Sequence, residues 1–195
     1  MADLTKIFKA YDVRGVVPDE LNEEIAEAVG AAFVEVIGAK SVVMAHDMRV
    51  SSAPLARAFA RGAASRGAEV INAGLGSTDL LYYASGSLGL PGVMFTASHN
   101  PARYNGMKMC RAAPIGTDTG LLEIRDRAAR LLETGIGGTP GAGRVFERDL
   151  LEGYAAHLKT LVDLSGIRRL KVVVDAGNGM AGYTVPAVFK GLPID

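Results

Sequence analysis

The sequence has no tryptophan, one cysteine, no excess of charge of either sign and no long unbroken apolar run. Each shortage removes a class of protein. Cys110 alone cannot build an intrachain disulfide framework, and so sparse a use of cysteine suits a reducing compartment. Such a residue reads as a small buried apolar side chain. Lysine plus arginine and aspartate plus glutamate both total 21, a formal net charge of zero. Nucleic-acid binders carry a basic excess or stripe. The cluster Arg168-Arg169-Lys171 is short and reads as a solvated strand entry. No run approaches the ~20 apolar residues of a membrane span. The opening MADLTKIFKAYD is charged at Asp3, Lys6 and Lys9 and lacks the apolar stretch of a signal peptide. The expectation is a soluble, cytoplasmic protein with neither nucleic acid nor membrane as partner.

What is present is globular material: 195 residues, 49% hydrophobic and 22% charged, more than one typical domain of ~100–150 residues. In 21–38, Leu21, Ile25, Ala28, Val29, Ala32, Phe33 and Val36 fall on one helical face, with Asp19 or Asn22 as cap and Gly38 just past the end. Short apolar runs predict strands at 41–47, 68–75, 92–98 and 106–111. Helices are predicted after Ser51-Ser52-Ala53-Pro54, over 77–89 with Ser77 or Thr78 as cap, over 121–132 and over 148–162. Strands and helices alternating at this pitch imply an α/β fold: a mixed, mostly parallel sheet layered between helices. The glycine- and proline-rich stretch 134–144 reads as a loop or boundary. Beyond it, 171–195 gives one strand, one glycine turn and one helix. A single βα unit cannot cover both faces of a strand. Residues 1–147 are therefore expected to form a first domain, and 148–195 a linker helix with the incomplete start of a similar second one.

Chemistry concentrates in GVMFTASHNPARYNGMKMCR, residues 92–111. A strand ending in a polar turn places side chains at the carboxyl edge of a parallel sheet, where α/β ligand sites form. Ser98 is there either a nucleophile or phosphate carrier, or a turn cap. No serine in the chain fits G-x-S-x-G. In extended chain His99 would point away from Ser98, so pairing them needs a tight turn. Lys108, between Met107 and Met109, is an acid/base candidate if its surroundings lower its pKa, or a lysine reaching to solvent along its stem. Asn100 suits holding the turn. Tyr11 and Arg14 in AYDVRG pair an aromatic with a phosphate-matching fork, and are equally a core tyrosine and a surface arginine. Asp47 and Arg49 read as an ion pair, and His46 and His157 as ordinary histidines. Gly177-Asn178-Gly179-Met180-Ala181-Gly182 fits G-x-G-x-x-G between a predicted strand and helix. That is the context of a dinucleotide fingerprint, or simply of a tight turn.

FTASHNPARYNGMK resembles the phosphoserine loop of the α-D-phosphohexomutases. IFKAYDVRG (7–15) is similar to the N-terminal signature of the phosphomannomutase/phosphoglucomutase branch, and KVVVDAGNGMAG (171–182) resembles the opening of that family's second domain. A-Y-D-V-R-G in place of G-T-D-G-x-R-G separates the chain from phosphoglucosamine mutases. The resemblance implies interconversion of hexose 1-phosphate and hexose 6-phosphate (mannose or glucose phosphates) through a hexose 1,6-bisphosphate. It makes Ser98 the phosphoryl carrier and a Mg²⁺ ligand, His99 and Lys108 the proton-handling groups, and Tyr11 and Arg14 substrate contacts. The family's other metal ligands come from a D-x-D-x-D loop, and this sequence contains none, so the chain alone is expected to be inactive. Two alternatives stand beside this: an NAD(P)-binding α/β protein using the 177–182 turn, and a non-catalytic interaction fragment that dimerises through the exposed edge of its second domain.

Overall fold

A computed structural model describes residues 3–111, 113–139 and 142–195. Met1 and Ala2 of the opening segment, Ala112, and Pro140 and Gly141 of the predicted loop lie outside the described residues. In chain order the elements are β1 (Val13–Val16), α1 (Glu23–Ile37), β2 (Ser41–His46), α2 (Ser52–Ser65), β3 (Glu69–Leu75), α3 (Thr78–Leu88), β4 (Gly92–Phe95), β5 (Tyr104–Cys110), α4 (Leu121–Thr134), β6 (Val145–Glu147), α5 (Leu151–Thr160) and α6 (Ala181–Phe189). The six strands form one sheet in the order β1-β5-β4-β2-β3-β6. β4, β2, β3 and β6 run parallel, while β5 is antiparallel to both β4 and β1.

Local chemistry sets several boundaries. Asn22 caps α1 by accepting from the Ile25 amide at 3.0 Å, and Gly38 ends it in the left-handed region at φ 67°. Ser77 caps α3 by accepting from the Leu80 amide. α2, expected to follow Ser51-Ser52-Ala53-Pro54, begins inside that stretch at Ser52, and Ser51 before it makes no capping bond.

Alternation along the strands divides the core in two. Val13, Val42, Met44, Val93, Phe95, Met107 and Met109 face α1, α2 and α4, where the Phe59 ring meets Phe33 tilted at 5.7 Å and Phe95 edge-on at 5.6 Å between centroids. Val43, Ala45, Met94 and Cys110 face α3 and α5. The tightest joint is between α1 and α2. A Cβ on Gly30 would lie 2.1 Å from the Phe59 carbonyl oxygen, and one on Gly62 would lie 1.9 Å from that of Glu27. The two backbones touch, so only glycine fits at either position.

The strands β1 and β6 are too short to show a pattern and were not expected. Residues 171–176, expected to be a strand, carry none. Backbone pairing here is limited to the isolated Leu170–Ile194 bridge and the Val172 amide donating to the Asp195 carbonyl at 2.8 Å, and Val173 is 92% exposed. Three consecutive valines supply strand propensity, but a strand also needs a neighbour along its length; the backbone of residues 193–195 bonds this segment only at Leu170 and Val172, and no described residue pairs as a strand with residues from Val173 on. No helix among the described residues is long and apolar enough to cross a membrane.

Candidate active site

β2 and β4 are parallel neighbours, with Val43 beside Gly92 and His46 beside Phe95. The chain leaves β2 through α2 on one face and reaches β3 on one side. It then returns through α3 on the other face to β4 on the opposite side. The carboxyl ends of β2 and β4 are thus a topological switch point, where diverging loops leave a crevice for ligands. Two loops meet there: residues 47–51 after β2 and residues 96–103 after β4.

Ser98 has φ 53°, the only positive φ among the described non-glycine residues. That conformation costs a side-chain-bearing residue roughly 1–2 kcal/mol, and it persists where surroundings over-determine it. They do so here. The Ser98 amide donates to Thr96 Oγ1 at 3.0 Å, and the Asn100 amide and side chain both donate to the Ala97 carbonyl at 3.0 and 2.9 Å. The turn has a chemical consequence. Neighbours that extended chain would hold apart are brought together, with Ser98 Oγ 3.2 Å from His99 Nδ1 and both residues exposed.

Behind the loop lies a buried polar network. Arg49 Nη1 donates to the carbonyls of Pro101 and Tyr104, both at 3.0 Å; Nη2 donates to those of Ser98 and Asn100, at 2.8 and 2.7 Å. The Asp47 carboxylate faces Arg49 Nε at 3.3 Å and accepts from the Arg49 amide at 3.0 Å and from Ser52 Oγ at 2.5 Å. Asn105 Nδ2 donates to Ser51 Oγ and Ser52 Oγ at 2.8 and 2.9 Å. Asp47, Ser52 and Asn105 are three of the four buried polar residues among those described; the fourth is Ser85. Buried polar groups persist when they are mutually satisfied, and here they brace one loop. Sequence reasoning took Asp47 and Arg49 as a simple ion pair and missed Ser52 and Asn105. The available signals were a second serine after the D-x-R turn and the asparagine opening N-G-M-K.

The cationic candidates stand to one side of the loop. Arg14 on β1 pairs with Gly106, and Lys108 on β5 pairs with Met94. A Cβ at Gly106 would come within 2.1 Å of the Val13 carbonyl oxygen, so this N-G step lets β1 close on β5. Because Val13, Met107 and Met109 face the larger core, Arg14 and Lys108 share the other face of the sheet. Arg14 Nη2 bonds Asp12 at 2.5 Å, and its buried Nε has no partner. Lys108 is half-buried and makes no hydrogen bond or ion pair among the described residues. Tyr11 is 70% exposed, and its ring lies beside Gly116. The fold brings Ser98 and His99 into contact; it sets Arg14 and Lys108 together on a nearby strand pair and leaves Tyr11 apart.

Mg²⁺ wants several oxygen ligands in an octahedron. Among the described residues there is no group of three or more His, Cys, Asp or Glu that could hold a metal. Four loop carbonyls and the Asp47 carboxylate are already engaged by Arg49. Ser98 would be a single ligand, and these residues do not by themselves fit the ion. The dinucleotide fingerprint also lacks its context. Gly177 does turn at φ 51° before α6, but no strand leads into it.

Comparison with known proteins identifies the family and the fold. The family profile described as phosphoglucomutase/phosphomannomutase, alpha/beta/alpha domain I, matches residues 5–133. A protein of Xanthomonas campestris pv. campestris named "Phosphohexose mutases" is 44% identical over 191 residues, 96% of this chain and 42% of the relative. An Escherichia coli phosphomannomutase is 40% identical over 203 residues, covering all of this chain and 44% of its own length. The crystal structure of a phosphoglucomutase/phosphomannomutase family protein from Burkholderia thailandensis superposes with a TM-score of 0.83 at 32% identity, over all of this chain and 43% of that one. The chain thus spans less than half the length of the relatives it matches. With its α/β/α sheet, its strained serine at the switch point and this match, the chain belongs to the phosphoglucomutase/phosphomannomutase family.

Proposed function

We propose that the chain is the phosphoserine-bearing part of a phosphohexomutase that moves a phosphoryl group between O1 and O6 of a hexose. The observation that carries this is Ser98, held exposed in a left-handed turn at the switch point with its hydroxyl 3.2 Å from His99. In the proposed step a substrate hydroxyl attacks the phosphorus of phospho-Ser98. The new O–P bond forms as the Oγ–P bond breaks, and the hydroxyl proton passes to Lys108 or His99. The reverse transfer, onto Ser98 from the other position of the bisphosphorylated sugar, completes the isomerisation. Such transfer runs through a loose transition state with charge spread over the phosphoryl oxygens, so position and counter-charge dominate. Phosphoserine carries about −1.5 to −2 charge. The terminal nitrogen of Arg14 not held by Asp12 is suited to the substrate phosphate, and exposed Tyr11, three residues before it, is a proposed substrate contact although it stands apart from the serine loop. Mg²⁺ belongs to the proposal with Ser98 as its one ligand among the described residues. Residues 1–147 are assigned to the phosphoserine domain and 148–195 to the passage into a second domain, in a cytoplasmic enzyme acting on mannose or glucose phosphates.

The test is a coupled assay of the full-length enzyme with mannose 1-phosphate and glucose 1-phosphate. The 6-phosphate product is expected from at least one of them. Turnover of neither, with nucleotide instead raising the melting temperature, would replace this reading with the dinucleotide one.

A further inference from the structure

We propose that Arg49 is a positioning residue for phosphoryl transfer, holding the serine loop in the one conformation that presents Ser98. This rests on the function proposed above. A guanidinium has five N–H donors in a planar fork. In Arg49 four of them reach the carbonyls of Ser98, Asn100, Pro101 and Tyr104, and the fifth, at Nε, faces Asp47 Oδ2 at 3.3 Å. The four terminal donors are taken, the buried Nε makes no hydrogen bond but lies against Asp47, and the side chain is only 8% exposed, so Arg49 offers nothing to a phosphate. Arg14 differs in its terminal nitrogens, of which only Nη2 is engaged, on Asp12; its buried Nε, like that of Arg49, makes no hydrogen bond. The two arginines thus divide the work, Arg14 meeting ligand and Arg49 meeting the loop.

The four carbonyls span the whole turn between β4 and β5. One of them belongs to Ser98 itself, so the clamp acts directly on the residue whose backbone is strained. A lysine could not substitute, because its compact ammonium has three donors and no fork. Asp47 aims the guanidinium and is itself tied to Ser52, and through Ser52 to Asn105 at the start of β5. Both ends of the loop are therefore fastened to one buried point.

The experiment compares wild-type, R49K, R49A and D47N forms of the full-length enzyme. A misplacement of about 1 Å in a reacting group costs roughly 100-fold in rate. R49K is therefore expected to lose kcat on that order while KM for the hexose 1-phosphate stays within a few-fold. Loading of phosphate onto Ser98 from hexose 1,6-bisphosphate, followed by intact mass, should slow in parallel. Added guanidinium ion should restore part of the R49A rate. D47N keeps an acceptor for Ser52 and should show the same kcat-only loss in smaller measure; it serves as the test if the Arg49 variants do not fold. Wild-type kcat in folded R49K, or in D47N where R49K fails to fold, overturns the proposal. So does a loss expressed mainly in KM, which would place Arg49 on the substrate. If the wild-type enzyme turns over no hexose phosphate, the proposed function fails instead, and the two outcomes are distinct.

Discussion

The carbonyl of Ser98 accepts a hydrogen bond from Arg49 at 2.8 Å, across 49 residues of sequence. That bond joins the two loops of the switch point and explains how an exposed serine keeps a backbone conformation it would not adopt freely. The site is therefore as much a property of the turn after β2 as of the serine loop.

The α1–α2 crossing gives a stability prediction independent of function. Gly30→Ala and Gly62→Ala each push a methyl group into the facing backbone, which cannot move aside as a side chain would. Overpacking of this kind costs ~1–3 kcal/mol, and each variant should unfold at lower denaturant than the parent chain. A midpoint equal to the parent's would show that the helices do not touch there.

Cys110 is 2% exposed, and burial pushes its thiol pKa up, only partly offset by hydrogen bonding with Ser85 and the Gly92 backbone. Since the thiolate is the reactive form, iodoacetamide at mildly alkaline pH should label the native chain far more slowly than the unfolded chain. Equal rates would contradict its placement at the end of β5, packed against α3.

Glu35 on α1 ties two other helices to its own, bonding Arg127 of α4 and Arg66 at the end of α2, the latter at 2.6 Å. The Arg127 hydrogen bond leads in holding its carboxyl below the ordinary value of 4.5, with desolvation opposing and Arg66 adding to the lowering. A depressed folded pKa means that the stabilisation is complete above about pH 4.5 and is lost as pH falls through the folded value. Glu35→Gln should be less stable than the parent at pH 7 by no more than ~1 kcal/mol, as befits a surface cluster. The gap should close in acid. A gap that persists unchanged at pH 2 would assign the effect to packing.

Much of the fold was legible because its signals are local. The Asn22 cap, the left-handed Gly38, the Ser77 cap and the apolar runs of β2, β3 and β4 each act within a few residues. β1 and β6 escaped notice because four- and three-residue strands form only against a neighbour already in place. The valines at 172–174 misled for the converse reason: propensity with a neighbour at one end only does not make a strand. At the site, the family motif pointed to Ser98 and His99. Their contact depends on a positive φ that no residue type announces, since serine rarely adopts it. The reach of Arg49 to residues 98–104 is a long-range relation, visible only once β2 and β4 lie side by side.

The account stands or falls on phosphate at Ser98. Intact-mass measurement of the full-length enzyme after incubation with hexose 1,6-bisphosphate should show one added phosphoryl group, about 80 Da, mapping to Ser98. Ser98→Ala should show none and should lose hexose phosphate interconversion. An alanine variant that still interconverts hexose phosphates at the parent rate would contradict it.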